Sequence, residues 1–149
     1  MIRRKSLKIL VADDSSVVRQ LLALWLHKVC SCEVDSAIDG LAAAQKIQAA
    51  KDSGKPFDLL ITDLSMPNMN GIQLVEQVRR TNSRDHLPIL VLTTFAATEY
   101  REKAARAGAT DYLTKPLRYY ELYRTIHRLF PNSGEDPAPK PYLRAVMAG

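Results

Sequence analysis

Short apolar runs alternate with helix-like patterns along most of the chain. The runs are Leu7–Ala12, Cys32–Ala37, Phe57–Thr62, Leu87–Thr93 and Asp111–Thr114. Three of them are nearly continuous in Ile, Leu and Val, the mark of strands buried on both faces of a parallel sheet. Between the runs the apolar period lengthens. Val18, Leu21, Leu22, Trp25 and Val29 repeat at helical spacing behind a capping Ser15 or Ser16, which predicts a first helix with that face inward. Leu41–Ala50 predicts a second, Ala-rich helix. Gly71–Thr81 predicts a third, with Ile72, Val75 and Val78 inward. Thr98–Ala107 predicts a fourth, with a thin stripe of Tyr100, Ala104 and Ala107 and a stop at Gly108. Leu117–Phe130 predicts a fifth, burying Leu122, Ile126, Leu129 and either Tyr119 or Tyr123. Five strands alternating with five helices give a (βα)5 α/β doubly wound parallel sheet over residues 1–130. Right-handed crossovers leave few topologies for it.

Length and composition narrow the class further. The chain has 149 residues, 46% of them hydrophobic and 25% charged, which fits one globular domain plus a tail. No apolar stretch is long enough for a transmembrane helix. The basic start, Met1-Ile2-Arg3-Arg4-Lys5-Ser6, is followed by a run that contains Lys8 and stops at Asp13-Asp14, too short for a signal peptide. A cytoplasmic protein is expected. Cys30 and Cys32 are only one residue apart, a poor spacing for a bridge or a zinc site, and read as reduced thiols at a helix–strand junction. The net charge of +5, from 21 basic and 16 acidic residues, permits an acidic partner without demanding nucleic acid. Residues 131–149 have a linker composition, four prolines in 19 residues. They read as a tail, or as a linker to a further domain.

In an open parallel sheet, ligands bind outside the carboxyl ends of the strands. Asp13 and Asp14 follow the first run, Asp63 the third, Thr93 and Thr94 close the fourth, and Lys115-Pro116 follow the fifth. Each alone has an ordinary explanation: Asp as a helix cap, Lys-Pro as a turn, Thr as a strand former. Together they place three carboxylates, a hydroxyl and an ammonium on one edge. Three adjacent carboxylates repel unless something neutralises them. Mg2+ is the economical answer, because it takes one or two carboxylates, keeps waters and leaves room for a phosphate. A lysine cannot be its ligand and instead faces an oxyanion. A threonine hydroxyl can donate to the same oxyanion. One carboxylate is then free to act as nucleophile toward a transferred phosphoryl group.

These residues resemble the receiver domain of two-component response regulators. The resemblance runs from Lys8 to about Phe130 and rests on Ile9-Leu10-Val11-Ala12-Asp13-Asp14-Ser15, Leu59-Leu60-Ile61-Thr62-Asp63-Leu64-Ser65-Met66-Pro67, Gly71, Pro88-Ile89-Leu90-Val91-Leu92-Thr93 and Gly108-Ala109-Thr110-Asp111-Tyr112-Leu113-Thr114-Lys115-Pro116. It implies a flavodoxin-like sheet of order 2-1-3-4-5. It implies that Asp63 accepts a phosphoryl group from the phosphohistidine of a histidine kinase or phosphotransfer protein. Asp14, Asp63 and the backbone carbonyl of Ser65 would bind Mg2+ directly, and Asp13 through water. Lys115 and Thr93 would hold the phosphoryl oxygens. Tyr112 matches the aromatic switch position, and Lys115-Pro116 a cis peptide bond, which proline alone makes cheap. Phosphorylation adds about −1.5 to −2 charges at Asp63. Thr93 would then move toward the new oxygens, Tyr112 would turn inward behind it, and the face of helix 4, strand 5 and helix 5 would change shape. That face would bind a downstream protein or a second copy, with Glu99, Glu102 and Arg124 available for charge pairs. The sequence departs from the family at Thr94, where a small residue is commoner. Ser65 and Phe95 occupy the variable positions expected to tune phosphoryl lifetime.

Other readings fare less well. A haloacid-dehalogenase-type phosphohydrolase wants a second Asp two residues after its nucleophile, where this chain has Ser65 or Ser15. No G-x-G-x-x-G follows a strand, so a dinucleotide site is not expected. The histidines His27, His86 and His127 are scattered away from the acidic cluster. Arg101, Lys103, Arg106, Arg118, Arg124 and Arg128 lie on two predicted helices, a solvated or docking face and not a DNA-recognition element. Two alternatives remain: a receiver-like interaction module without phosphorylation, and a receiver fragment of a larger regulator or hybrid kinase. No enzyme activity beyond self-catalysed phosphoryl transfer and slow autodephosphorylation is expected.

Overall fold

A single five-stranded sheet with strand order β2-β1-β3-β4-β5 carries helices on both faces. The computed structural model describes residues 6–131; beyond Pro131, the expected tail lies outside the described residues. The elements are β1 (Leu7–Ala12), α1 (Ser16–Val29), β2 (Cys32–Ala37), α2 (Gly40–Asp52), β3 (Leu59–Thr62), α3 (Gly71–Arg79), β4 (Ile89–Thr93), α4 (Thr98–Ala107), β5 (Asp111–Thr114) and α5 (Tyr119–Leu129). All four strand pairings are parallel. This is the fold class that the sequence pattern predicts and the strand order that the family resemblance implies.

Side-chain alternation divides the core between two layers. Ile9, Val11, Leu59, Ile61, Leu90 and Leu92 point to one face, where Leu22, Leu26 and Val29 of α1 meet Leu122 and Ile126 of α5. Leu10, Leu60 and Ile89 point to the other, against Ala43 and Ile47 of α2 and Leu74, Val75 and Val78 of α3. A smaller cluster of Leu64, Val91, Ala104, Ala109 and Tyr112 seats α4. The two edge strands are half-exposed, while β3 and β4 are buried throughout. That is why the central runs read as unbroken apolar stretches.

Several boundaries shift by one or two residues. Phe57 is buried but precedes β3, and Asp58 meets β1 with its N–H on the Lys8 carbonyl at 2.7 Å and its carboxylate, in place of a backbone carbonyl, on the Lys8 N–H at 2.9 Å. Leu87 and Pro88 precede β4, although the Pro88 carbonyl still accepts from Leu60 N–H. α5 starts at Tyr119, two residues later than expected, after the cis Lys115-Pro116 bond. On α1 the buried stripe is Leu22, Leu26 and Val29. Leu21, expected inward, is 40% exposed, because the stripe that faces the sheet is narrower than the apolar pattern.

The order reverses at β1, whose two neighbours lead to opposite sides of the sheet. The crevice that this creates at the carboxyl ends of β1 and β3 is where such sheets bind ligands.

Candidate functional site

β1 ends at Asp13 and Asp14, and β3 at Asp63, whose N–H donates to the Ala12 carbonyl at 3.0 Å. Neighbouring parallel strands in register therefore bring the three carboxylates together. One oxygen from each of Asp13, Asp14 and Asp63 lies within 4.8 Å of the others. Asp13 and Asp63 are buried, while Asp14 is exposed. From β5, Lys115 reaches across with its Nζ 2.8 Å from Asp13 Oδ2 and 2.8 Å from Asp63 Oδ2. Burial alone would lower the Lys115 pKa, but its bonds to the two carboxylates outweigh that and raise it. The ammonium is thus held charged between two buried carboxylates. Lys115 is itself anchored, its N–H donating to the Thr93 carbonyl at 2.8 Å.

Each carboxylate is oriented by backbone. Asp13 Oδ1 accepts from Ser15 N–H at 2.9 Å. Asp63 Oδ1 accepts from Leu64 N–H at 2.6 Å and Ser65 N–H at 3.3 Å. The loop after Asp63 packs so closely that a Cβ at Gly71 would lie 2.1 Å from the Asp63 carbonyl oxygen; only glycine lets α3 start there. Two buried carboxylates and one exposed one, with an oxygen from each within 4.8 Å of the others beside one ammonium, form a hard oxygen donor set, which fits a divalent cation such as Mg2+.

Some residues that support the site do not stand out in the sequence. Asp39 caps α2 by accepting from Ala42 N–H at 2.8 Å, and it also accepts from Asn68 Nδ2 at 2.6 Å. Asn68 sits in the left-handed region (φ 65°) of the loop that carries Ser65. Gly40 N–H donates to the Met69 carbonyl at 3.1 Å. The start of α2 thus pins this loop. A capping Asp before an Ala-rich helix was a readable signal for half of that arrangement. Its link to Asn68 spans 29 residues and leaves no local trace. Arg19 Nη1 holds the Asp13 carbonyl at 2.8 Å. On α1, which starts just after Asp14, Val17, Leu21 and Leu24 are exposed apolar residues at helical spacing.

Thr93 is fully buried at the end of β4, and its Oγ1 accepts from Phe95 N–H at 3.4 Å. Tyr112 is only 9% exposed. Its hydroxyl donates to the Phe95 carbonyl at 2.5 Å, and the Arg101 guanidinium covers its ring at 4.8 Å. In this structure the Tyr112 ring lies inward, held from both sides. The Phe95 peptide joins the two residues, with its N–H on Thr93 and its carbonyl on Tyr112. Phe95 also stacks on Tyr100 of α4, with ring centres 4.7 Å apart. Thr94 is exposed. The histidines lie away from the acidic cluster: His27 is exposed near Cys32, His86 pairs with Ser83, and His127 contacts the Val29 carbonyl. No helix among the described residues is long and apolar enough to cross a membrane.

Comparison with known proteins gives one consistent result. Residues 9–127 match the family model described as the response regulator receiver domain. The chain is 33% identical over 129 residues to the chemotaxis protein CheY-3 of Vibrio cholerae, covering 87% of this chain and 95% of that protein. It is 33% identical over 124 residues to the chemotaxis protein CheY of Pseudomonas aeruginosa, covering 83% and 96%. Among solved structures, CheY4 of Vibrio cholerae superposes with a TM-score of 0.74 at 35% identity, covering 84% of this chain and 99% of that one. The receiver domain of the sensor histidine kinase PA1611 of Pseudomonas aeruginosa superposes at 0.73 with 25% identity, covering 85% and 99%; that structure has a magnesium ion coordinated in its active site cleft.

Proposed function

The chain belongs to the response regulator receiver family, and from that premise we propose that it is a phospho-acceptor switch whose acceptor is Asp63. The observation that carries this reading is the position of Lys115 Nζ, 2.8 Å from both Asp13 and Asp63 in a cluster that also includes Asp14. An ammonium in that place balances the carboxylates before transfer and the phosphoryl oxygens after it. In the transfer, an Asp63 oxygen attacks the phosphorus of a phosphohistidine. The P–N bond breaks as the P–O bond forms, and the departing imidazole keeps the electron pair. Mg2+ bound by Asp14, Asp63 and the Ser65 carbonyl, with Asp13 acting through water, would offset the charge that gathers on the transferred group.

The signal then has a short path. Thr93 gives up its bond from Phe95 N–H and donates its hydroxyl to a phosphoryl oxygen. The Phe95 peptide, freed on that side, shifts the carbonyl that holds Tyr112 and the ring that stacks on Tyr100. The face of α4, β5 and α5 is altered through side chains that already touch, and that face acts on a downstream protein or a second copy. The exposed stripe of Val17, Leu21 and Leu24 starts three residues after Asp14 and suits an apolar helix of the phosphodonor. Direct DNA binding is not part of this reading. Residues 1–130 form the receiver unit, and 131–149 serve as its tail or linker.

Intact mass after incubation with acetyl phosphate and Mg2+ tests the proposal, comparing the wild type with Asp63→Asn. A gain of one phosphoryl group, lost in the variant, is expected. Gel filtration of the same samples separates dimerisation from action on another partner. No gain from acetyl phosphate or from a phosphorylated histidine kinase would sink the acceptor role and leave a receiver-like interaction module.

A further inference from the structure

Helices α3 and α4 lie side by side, with a groove of about 530 Å3 between them. Four cations line it. Arg79 and Arg80 come from the end of α3, and Lys103 and Arg106 stand three residues apart on α4. Glu76 is the one carboxylate in the lining. The apolar part is Ile72 and Ala107, and among the described residues no aromatic ring lines the groove. None of these residues belongs to the acidic cluster of Asp13, Asp14 and Asp63.

The cations are of two kinds. Arg79 is a fixed wall: its Nε donates to the Gly108 carbonyl at 2.8 Å and its Nη1 to the Leu87 carbonyl at 2.7 Å, which ties the end of α3 to the turn after α4. Burial, with the nearby charge of Arg84, holds its pKa below the ordinary value. Arg84 itself donates to the Ala105 carbonyl of α4 at 3.2 Å. Positive charge is thus crowded between the two helices. Arg80, Lys103 and Arg106 are exposed. Glu76, Glu99 and Glu102 stand four residues before them, the spacing of a helical ion pair. Yet among the described residues none of the three cations is in an ion pair. Lys103 lies instead over the Tyr100 ring, 5.8 Å from its centre. The side chains of Arg80 and Arg106 make no hydrogen bond among the described residues.

We propose that this groove binds a compact polyanion through its phosphate groups, and that the bound anion ties α4 to α3. Three observations select that chemistry. Arginine supplies three of the four cations, and its planar fork meets two phosphate oxygens at once. The volume is that of a small-molecule site. The cations outnumber the one carboxylate and stand on both walls, so a chain of phosphates meets both. With no ring for a base to stack on, the groove reads the phosphates and not a base. Polyphosphate and the phosphate tail of a nucleotide offer the same chemistry. The consequence follows from the two walls. α3 has a capping box and buries Leu74, Val75 and Val78, whereas α4 has no capping side chain and buries Ala104 alone. An anion shared by Arg80 and Arg106 bridges a firmly held helix and a loosely held one. It stabilises the arrangement that brings these side chains together by its greater affinity for that arrangement.

The test is a calorimetric titration of the full chain at physiological ionic strength, about 0.15 M. EDTA is present, so that no metal carries the anion to the carboxylates. The probes are sodium tripolyphosphate, ATP and a hexaglutamate peptide. Tripolyphosphate should bind at one site. Arg80→Ala and Arg106→Ala should each weaken it about tenfold, the size of one charge-assisted hydrogen bond. Lys28→Ala removes an exposed cation of α1, outside the groove, and should bind as wild type does. ATP should match tripolyphosphate, and saturating tripolyphosphate should slow hydrogen exchange of the α4 amides. The proposal fails if tripolyphosphate does not bind, if the two arginine variants bind as tightly as wild type, or if α4 exchange is unchanged. Equal binding of hexaglutamate would make an acidic peptide the occupant and overturn the assignment to phosphate. So would ATP binding more than about tenfold tighter than tripolyphosphate, which is about 1.4 kcal/mol from the adenosine. None of these readouts depends on phosphorylation, so they stand apart from the Asp63 reading.

Discussion

Helices α1, α2 and α3 each begin on a side-chain oxygen, from Ser15, Asp39 and Asn70, whereas α4 and α5 begin on Ala97 and Arg118 with no such bond. α3 has the full reciprocal arrangement, with Gln73 reaching back to the Asn70 N–H at 3.0 Å. The capped helices are those that flank the loops bearing Asp13, Asp14 and Asp63. Of the two uncapped ones, α5 still buries Leu122, Thr125 and Ile126, while α4 buries Ala104 alone. A cap contributes about 1 kcal/mol, and a fully buried large apolar side chain about 1.5–3 kcal/mol. α4 has neither. The half that carries the carboxylates is firmly held and α4 is loosely held, which is the difference that the switch proposed above would use.

The largest effect that can break this contrast is in the core. Leu74→Ala on α3 removes a fully buried side chain and should destabilise by about 2–5 kcal/mol in a denaturant midpoint measurement. Tyr100→Ala on α4 removes the stack on Phe95 and should cost only about 1 kcal/mol. Equal losses would mean that α4 is held as firmly as α3, and the contrast would be wrong.

Caps sharpen the same comparison at smaller cost. Asn70→Ala should destabilise by about 1 kcal/mol, and Ala97→Asp should add about as much by giving α4 the cap that it lacks. Hydrogen exchange of the α4 amides measures the second directly. Slower exchange confined to α4 is expected; an unchanged rate would show that something else secures the start of this helix.

Much of this architecture was legible in the sequence, for a physical reason. Strands β1, β3 and β4 are buried on both faces, and burial on both faces leaves no polar positions to confuse the pattern. The acidic cluster was legible because topology alone sends strand ends to one edge, so Asp13, Asp14, Asp63 and Lys115 needed only their place in the order. The misreadings have a common cause as well. Leu21 looks like core because apolar spacing reports a helix face, not how much of that face a flat sheet can cover. Asp58 and Pro88 look like strand because each already bonds to the neighbouring strand, Asp58 through its N–H and carboxylate and Pro88 through its carbonyl, just before the regular ladder begins. The inward position of Tyr112 depends on the Phe95 carbonyl and on Arg101, contacts that carry no periodicity. The Asp39–Asn68 bond was hidden for the same reason.

The finest distinction between the two halves lies in how each should respond to pH. Donation from Ala42 N–H, aided by Asn68, holds the Asp39 carboxyl below the ordinary carboxylate value. A depressed acid contributes stability that is present above its unfolded pKa, about 3.9. That contribution is lost as pH falls through the lower folded value. Tyr112 is shifted the other way. Burial raises its pKa, Arg101 opposes this, and Asp63 and Tyr100 add to the rise. Its contribution is present below the unfolded value, about 10, and lost as pH rises through the higher folded one. Acid should therefore loosen the start of α2 and the loop it pins, while alkali should free Tyr112 and α4. Amide chemical shifts of Ala42 and Asn68 follow the first change, and tyrosinate absorbance follows the second. Asp39→Asn should flatten the acid limb of stability and leave the alkaline limb alone. Tyr112→Phe should do the reverse, with a loss of about 1 kcal/mol at neutral pH for the missing bond to Phe95. If either variant flattened both limbs, the two halves would be one cooperative unit at their ends, and the loosely held α4 could not move without carrying the acidic site with it.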